Sequence, residues 1–108
     1  MTLRFGEVIL IEMAFHQMAG AKVRPAIVVL DTGDDDFVAI PITSRARQDV
    51  WDLPVEKWLE AGLNVASWVR THKATVQAKR DITRHLGSLA SADAERLRAL
   101  VCRAYCGR

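Results

Sequence analysis

Short runs of apolar and β-branched residues alternate with polar turns along the first half of the chain. Residues 6–14 and 26–30 form the first two runs, and each is too short for a typical helix, so we predict a buried strand at both. Residues 15–23 between them are expected to form a loop. A third strand is predicted over 37–43, with Pro41 at an edge, at a bulge or in its last part, because proline lacks a backbone N–H.

The second half of the chain mixes helical and strand-like patterns. Residues 54–62 begin with proline, carry apolar residues at helical spacing and end with glycine, which predicts a short helix. Residues 65–70 and 74–82 have strand-like composition, and we expect Gly87 to mark a turn before the last element.

The C-terminal stretch has the clearest helical pattern of the sequence. Ser91 is a candidate cap, acidic residues follow in the first turn, and apolar residues recur at helical spacing from 94 to 105. Short strands in sequence order with one inserted and one terminal helix predict an α+β fold, mainly β. We expect a small, strongly bent antiparallel sheet or barrel.

Composition is that of an ordinary folded protein. The chain has 108 residues, of which 50% are hydrophobic and 26% charged, so we expect one domain over residues 1–108. No apolar run approaches the roughly 20 residues that cross a bilayer, and the N-terminus lacks the order of a signal peptide. We therefore expect a cytoplasmic protein with no membrane contact. The net charge of +2 permits a polyanionic partner without requiring one.

Several kinds of catalytic or metal site lack the residues they need. Cys102 and Cys106 are expected to be reduced thiols, and no second Cys/His pair at ligand spacing accompanies them, so a zinc site is not predicted. No carboxylate pair or phosphate-binding glycine loop stands out either. The sequence thus predicts no metal and no cofactor, and the candidate chemistry falls to arginine, threonine, serine and histidine.

Five phrases in order resemble the MazF/PemK toxin family, and together they span nearly the whole chain: GEVILIE, KVRPAIVVL, VAIPITSR, SWVRTHK and LGSLASADAERL. In that family a Gly-acid-apolar phrase opens the first strand, an Arg-Pro pair leads the second, and a Pro-x-Thr-Ser/Thr phrase ends the third. In this chain these are Gly6-Glu7-Val8, Arg24-Pro25 and Pro41-Ile42-Thr43-Ser44. The resemblance implies an SH3-like barrel with a C-terminal helix, a homodimer, cleavage of single-stranded RNA without metal, and a cognate antitoxin protein.

Metal-free RNA cleavage by the 2′-hydroxyl needs a base, positive charge on the phosphorane and an acid for the departing 5′-oxygen. The resemblance assigns Arg24 as the catalytic arginine and Thr43 as the catalytic threonine. Arg70 matches an arginine that PemK-like members follow two residues later with an aspartate, and in this chain that position is His72. Because histidine titrates near neutrality, His72 is interpreted either as a proton-transfer residue or as an RNA-contacting histidine with no proton role.

Other polar and aromatic residues near these motifs are candidates for RNA binding. Basic side chains attract the phosphate backbone, hydroxyls can contact it, and aromatic rings stack on bases. Of the three tryptophans, Trp51 is expected to be the most exposed, and Trp58 and Trp68 are assigned to the core or a dimer contact. The predicted RNA-binding residues are His16, Ser44, Arg45, Arg47, Trp51 and Lys73.

Two alternatives to a ribonuclease stay open at the level of sequence. Relatives of this barrel inhibit DNA gyrase by binding it, and a non-catalytic inhibitor of that kind is one alternative, against which Arg24 and Thr43 speak. A binding module or a toxin whose activity has decayed is the other, and His72 is the feature that favours it. The RNA sequence that is cut cannot be predicted from one chain.

Overall fold

The computed structural model describes residues 1–14, 21–46 and 48–107. These residues form an α+β structure, mainly β, in which a mostly antiparallel sheet precedes a C-terminal helix, as the sequence predicts. Within the described ranges, no helix has the length and apolar character needed to cross a membrane. The elements are β1 (Glu7–Ala14), β2 (Ala21–Asp31), β3 (Asp36–Thr43), β4 (Asp52–Pro54), β5 (Trp68–Arg70), β6 (Thr75–Ala78), β7 (Ile82–Ser88) and α1 (Ser91–Tyr105).

Strand β3 is the branching point of the sheet. The strand order is β4-β5-β3-β2-β1-β7, and β6 also pairs with β3. Residues 36–39 of β3 pair with β6, whereas residues 42–43 pair with β5. Pro41 lies between these two stretches, opposite Ala26 of β2. Of the three places predicted for Pro41, the structure shows the last part of the strand, where β3 changes partner on one side.

Strands β1 to β3 are buried on both faces. Alternate residues of β2 pack in different clusters, with Ala26 and Val28 in one and Ile27 in the other. Leu97 of α1 joins the cluster that contains Ile27, so the helix covers that face of the sheet. The opposite cluster is closed by residues such as Phe37. Burial on two faces fixes the register of these strands, and hence the places of the residues at their ends.

The second strand is longer than predicted, whereas the strands predicted over 6–14 and 37–43 and the C-terminal helix are confirmed. Strand β2 begins at residue 21 instead of 26 and runs through Pro25. Among the described residues, the β2–β3 ladder stops at Ala26, so β1 alone pairs with the first part of β2. A residue that lacks an N–H is tolerated there because ladder hydrogen bonds are needed on one side only.

The helix predicted over 54–62 is wrong. Pro54 belongs to β4, and the described residues 56–62 form turns with no helix. Tertiary contacts shape this segment, since the Asp93 carboxylate accepts the backbone N–H groups of its first two residues. At its end Gly62 has a φ of +90°, and a Cβ there would lie 2.1 Å from the carbonyl oxygen of Leu86. The glycine therefore serves a close approach of two backbones.

Three further predictions about the second half need correction. Gly87 lies inside β7 opposite Val8 instead of at a turn. A Cβ on Gly87 would lie 2.7 Å from the Ala61 carbonyl oxygen, so its role is again close approach. The predicted strand 74–82 is divided into β6 and β7 by a 3-10 turn. Ser91 is the first helical residue, and the described residues contain no side-chain hydrogen bond that caps this helix.

Candidate functional site

Register places several predicted site residues on one face of the strands β3, β5 and β4. Thr43 of β3 is opposite Trp68 of β5, and Arg70 of β5 is opposite Asp52 of β4. Successive residues of a strand point to opposite faces. The neighbours of these residues that pack against the core are Ile42, Leu53 and Val69. Thr43, Arg70 and Asp52 therefore share the face that points away from that cluster.

Arg24 approaches this face from β2. It is half-buried and lies opposite Ile11 of β1. Ala26 is opposite Pro41, and Thr43 follows Pro41 by two residues just as Arg24 precedes Ala26 by two. Arg24 alternates with Ala26 of β2, and Thr43 alternates with Ala39 of β3, and both alanines pack in the same cluster. Alternation therefore places Arg24 and Thr43 on the same side of the sheet, although the β2–β3 ladder ends before it reaches them.

Arg70 is held by a buried carboxylate. Its Nε donates a hydrogen bond to Oδ1 of Asp52 at 3.1 Å, and the side chains are 23% and 1% exposed, respectively. Nη2 of Arg70 lies 3.4 Å from Nε2 of His72. A guanidinium has donors only, so Nε2 faces it as an acceptor when the imidazole is neutral with its proton on Nδ1. Asp52, Arg70 and His72 form a continuous polar chain.

His72 lies in a 3-10 turn, Thr71–Lys73, that is fastened from two sides. The N–H of Thr71 donates to the carbonyl oxygen of Trp51 at 3.0 Å. On the other side the Tyr105 hydroxyl donates to the carbonyl oxygen of Thr71 at 2.6 Å and accepts the N–H of Ala74 at 3.2 Å. These hydrogen bonds attach the turn to Trp51, just before β4, and to the end of α1. They fix the position of the turn relative to the sheet.

Three buried polar atoms of this region have no hydrogen-bond partner among the described residues: Asp52 Oδ2, Thr71 Oγ1 and His72 Nδ1. We call these three atoms the open polar set. The part of the chain that the structure describes has one more such atom, Nε of Arg96. Buried polar groups are satisfied in most proteins, and three of the four exceptions among the described residues belong to this region. The open polar set therefore marks this region as the candidate site.

The basic residues predicted to bind RNA surround the polar chain. Ser44 and Arg45 are exposed in the bend after β3, where the N–H of Arg45 donates to Thr43 Oγ1 at 3.1 Å. Lys73 is exposed on the turn that carries His72. Positive side chains thus lie on two sides of the region, at the end of β3 and after β5.

The expected order of exposure among the three tryptophans stays a prediction, because all three fall in the same class. Trp51, Trp58 and Trp68 are all half-buried, and Trp58 packs against the core. Trp51 is nevertheless adjacent to the site, because its carbonyl oxygen binds the turn of His72. Two other predicted RNA-binding residues, His16 and Arg47, lie outside the described residues.

Three residues of the region were missed at the level of sequence: Asp52, Thr71 and Tyr105. An acid between Trp51 and Leu53 was a signal, since alternation in a strand would turn it away from the core. The pairing of β4 with β5, which brings it to Arg70, has no local signature. In the part of the chain that is described, no group of three or more His, Cys, Asp or Glu side chains is arranged as metal ligands.

Solved structures of similar fold cover nearly the whole chain. Toxin MazF-mt6 of Mycobacterium tuberculosis is 19% identical, with a TM-score of 0.76, over 93% of this chain and 96% of that one. MazF of Deinococcus radiodurans is 19% identical, with a TM-score of 0.73, over 96% of both chains. An endoribonuclease from Mycobacterial species, solved in complex with its cognate antitoxin, is 15% identical, with a TM-score of 0.75, over 95% and 94%. No curated protein sequence matches the chain significantly.

Family membership follows from the sequence. The profile of the PemK-like, MazF-like toxins of type II toxin-antitoxin systems matches residues 4–105. This range contains all the phrases on which the resemblance was based, and the α+β fold, mainly β, agrees with it. The chain belongs to the PemK-like, MazF-like toxin family of type II toxin-antitoxin systems.

Proposed function

We propose that this chain is a metal-independent endoribonuclease toxin that cuts single-stranded RNA. In this proposal the 2′-hydroxyl attacks the adjacent phosphate, and the products carry a 2′,3′-cyclic phosphate and a 5′-hydroxyl. The observation that carries the proposal is the polar chain Asp52–Arg70–His72 beside Thr43, on a face edged by basic side chains. Such a region offers positive charge, a proton carrier and a hydroxyl, which are the groups this reaction needs.

Arg24 and Arg70 are assigned to the charge that develops on the phosphorane. Each guanidinium presents several donors in a plane, a geometry that suits two oxygens of one phosphate. Nε of Arg70 binds Asp52. The terminal nitrogens lie at the end of a partly exposed side chain, and one of them faces His72. We expect these terminal nitrogens to contact the scissile phosphate.

His72 and Thr43 are assigned to the proton and to the phosphate. In the neutral imidazole the lone pair of Nε2 faces Nη2 of Arg70. When Nη2 turns to the phosphate, this lone pair becomes available to take the 2′-proton, and Nε2 can later return a proton to the 5′-oxygen. Thr43 Oγ1 accepts the Arg45 N–H, which leaves its own proton for a phosphate oxygen. Ser44, Arg45, Lys73 and Trp51 are assigned to the RNA strand on either side, and His16 and Arg47 remain predicted contacts.

Two protein partners are part of the proposal. The solved relative that is an endoribonuclease in complex with its cognate antitoxin supports an antitoxin for this chain. A homodimer is supported by an apolar groove of about 320 Å³ between β2, β3 and the end of α1, with Leu30, Val101 and Tyr105 among its lining residues. Leu30 and Tyr105 are exposed there, which is the apolar surface an isologous contact would cover.

The test is incubation of the wild type and the Arg24→Ala variant with a long single-stranded RNA in excess EDTA, followed by mapping of the fragment ends. We expect discrete cuts with 5′-hydroxyl ends from the wild type and none from the folded variant. Arg80→Ala is the matched control, because Arg80 is an exposed arginine on another turn. It should cut as the wild type does. A folded wild type that cuts none of many RNAs would favour a non-catalytic binding module, and cutting by Arg24→Ala would remove Arg24 from the mechanism.

A further inference from the structure

Asp52 is buried where a negative charge is costly, yet it is not fully satisfied. Its side chain is 1% exposed, Oδ1 accepts Nε of Arg70, and Oδ2 belongs to the open polar set. A carboxylate in such a place is usually kept for a specific purpose, since taking two charges out of water costs several kcal/mol per ion. The described contacts point to one purpose, the orientation of Arg70.

Direct contact between Asp52 and RNA is excluded by its burial. Oδ2 has almost no accessible surface, and the whole Asp52 side chain is 1% exposed. Arg70 is 23% exposed, so the partly accessible member of the pair is the arginine. Any effect of Asp52 on RNA must therefore pass through Arg70.

The hydrogen bond to Nε decides which edge of the guanidinium stays available. A bond at Nε leaves the terminal nitrogens of Arg70 for other partners, and one of them already faces His72 at 3.4 Å. The bond from the Thr71 N–H to Trp51 fixes the residue next to Asp52 against the turn that holds His72. The short segment Trp51–Asp52 thus holds both the Arg70 side chain and the turn that carries His72 in position.

We propose that Asp52 is a positioning residue that orients the Arg70 guanidinium toward the scissile phosphate and His72. This inference rests on the proposed ribonuclease function. Loss of the Asp52 charge frees Arg70 to adopt other rotamers, and small misplacements of a catalytic group cost up to about 100-fold in rate. The expected effect of Asp52→Asn is a 10- to 100-fold lower kcat with KM changed less than about threefold.

The experiment is a double-mutant cycle with Asp52→Asn and Arg70→Ala, measured as kcat and KM on an RNA that contains a mapped cut site. If Asp52 acts through Arg70, Asp52→Asn should lower kcat in the wild-type background and have no further effect in the Arg70→Ala background. Asp35→Asn is the matched control, because Asp35 is an exposed acid in the turn between β2 and β3. It should leave kcat unchanged.

Folding is checked by circular dichroism, and Arg70→Gln, which removes the charge and keeps a long polar side chain, replaces Arg70→Ala in the cycle if the alanine variant does not fold. NMR adds a readout that needs no RNA, since the Arg70 Nε–H signal should exchange faster with water in Asp52→Asn than in the wild type. Additive effects on kcat, or an unchanged kcat in folded Asp52→Asn, would overturn this inference alone. Absence of cleavage by the wild type would overturn the proposed function and this inference with it.

Discussion

Two aspartate-arginine pairs in the described part of the chain have a buried carboxylate, and they differ in how completely that carboxylate is satisfied. Asp93 at the start of α1 binds Arg96 and accepts the N–H groups of Glu56 and Lys57 at 3.2 and 2.9 Å, so both of its oxygens have partners. Asp52 at the sheet edge binds Arg70 through Oδ1, and Oδ2 is one of the open polar set. The two aspartates are alike in burial and differ in their surroundings.

The Asp93 pair connects elements of the fold, whereas the Asp52 pair lies in the candidate site. Arg96 also donates to the Pro54 carbonyl oxygen at 3.2 Å, so the Asp93 pair joins α1, the turn before residue 62 and β4. A buried carboxylate with partners on both oxygens holds elements together. The Asp52 pair leaves hydrogen-bonding capacity unused beside a partly exposed arginine, which suits a region that binds substrate. We therefore expect substitutions in the two pairs to act on different properties.

The largest expected effect on stability comes from Asp93→Ala. It removes the acceptor of two backbone N–H groups and leaves Arg96 without its buried partner. We expect the free energy of unfolding to fall by about 3 kcal/mol, measured by urea denaturation at neutral pH.

The rate of RNA cleavage per folded molecule should be close to that of the wild type in Asp93→Ala. The folded fraction of each preparation is measured, and the cleavage rate is divided by it. A variant of unchanged stability, or one that is fully folded and inactive, would contradict the division between the two pairs. Glu95→Ala, an exposed acid on the same turn of α1, is the control and should change neither property.

In the candidate site the corresponding substitution is His72→Ala. It removes the proposed proton carrier next to Arg70, and general acid-base groups contribute at least about 100-fold to rate. We expect kcat to fall by about that factor and its pH dependence between about 5 and 8 to flatten. The measurement is single-turnover cleavage across this pH range.

The matched control for His72→Ala is His85→Ala, because His85 is an exposed histidine on β7. A His72→Ala variant with the pH profile of the wild type would return His72 to a contact residue without a proton role. The unfolding free energy of the variant should change little, in contrast to that of Asp93→Ala.

Acid pH should reduce the stabilisation that the Asp93 carboxylate gives to the fold. Burial raises the pKa of the Asp93 carboxyl, but the hydrogen bonds from Lys57, Arg96 and Glu56 outweigh burial and hold the pKa below its ordinary value. A carboxyl with a depressed native pKa stabilises the fold fully above its unfolded pKa of about 3.9, and this stabilisation is lost as pH falls through the native value. The stability difference between the wild type and Asp93→Ala should therefore narrow below about pH 4. A constant difference down to pH 2.5 or so would show that the charge of Asp93 contributes nothing.

The sheet and the terminal helix were predictable because their signal is local. The strands 7–14 and 36–43 and the helix 91–105 each carry a hydrophobic period that survives in the fold. The helix expected over 54–62 failed because its local pattern is overridden by contacts distant in sequence, from Asp93 and from the backbone near Gly62. The local pattern shows the spacing of apolar residues and carries no information about these distant contacts.

The candidate site was predictable where a motif names it and unpredictable where a pairing creates it. Arg24, Thr43 and Arg70 were predicted from phrases, and strand pairing places Thr43 and Arg70 on one face. The family pattern has an acid where this chain has His72, and this departure left the role of His72 open at the level of sequence. The structure has a carboxylate beside Arg70 after all, from Asp52 of the neighbouring strand. Long-range pairing of this kind leaves no mark in the sequence of one chain.

The smallest expected effect tests whether the two regions are separable at all. Tyr105 is on α1, the helix of the Asp93 pair, yet its hydroxyl binds the turn that holds His72. Tyr105→Phe keeps the ring and removes two hydrogen bonds at a partly exposed place, so we expect a loss of about 1 kcal/mol in unfolding free energy. If the helix also sets the turn, kcat should fall by a small factor beyond what the folded fraction explains. Because the ring is retained, lost packing would not account for that fall. An unchanged kcat would mean that β4 and Trp51 fix the turn of His72 without the helix, and that the division between a stabilising and a chemical region is complete.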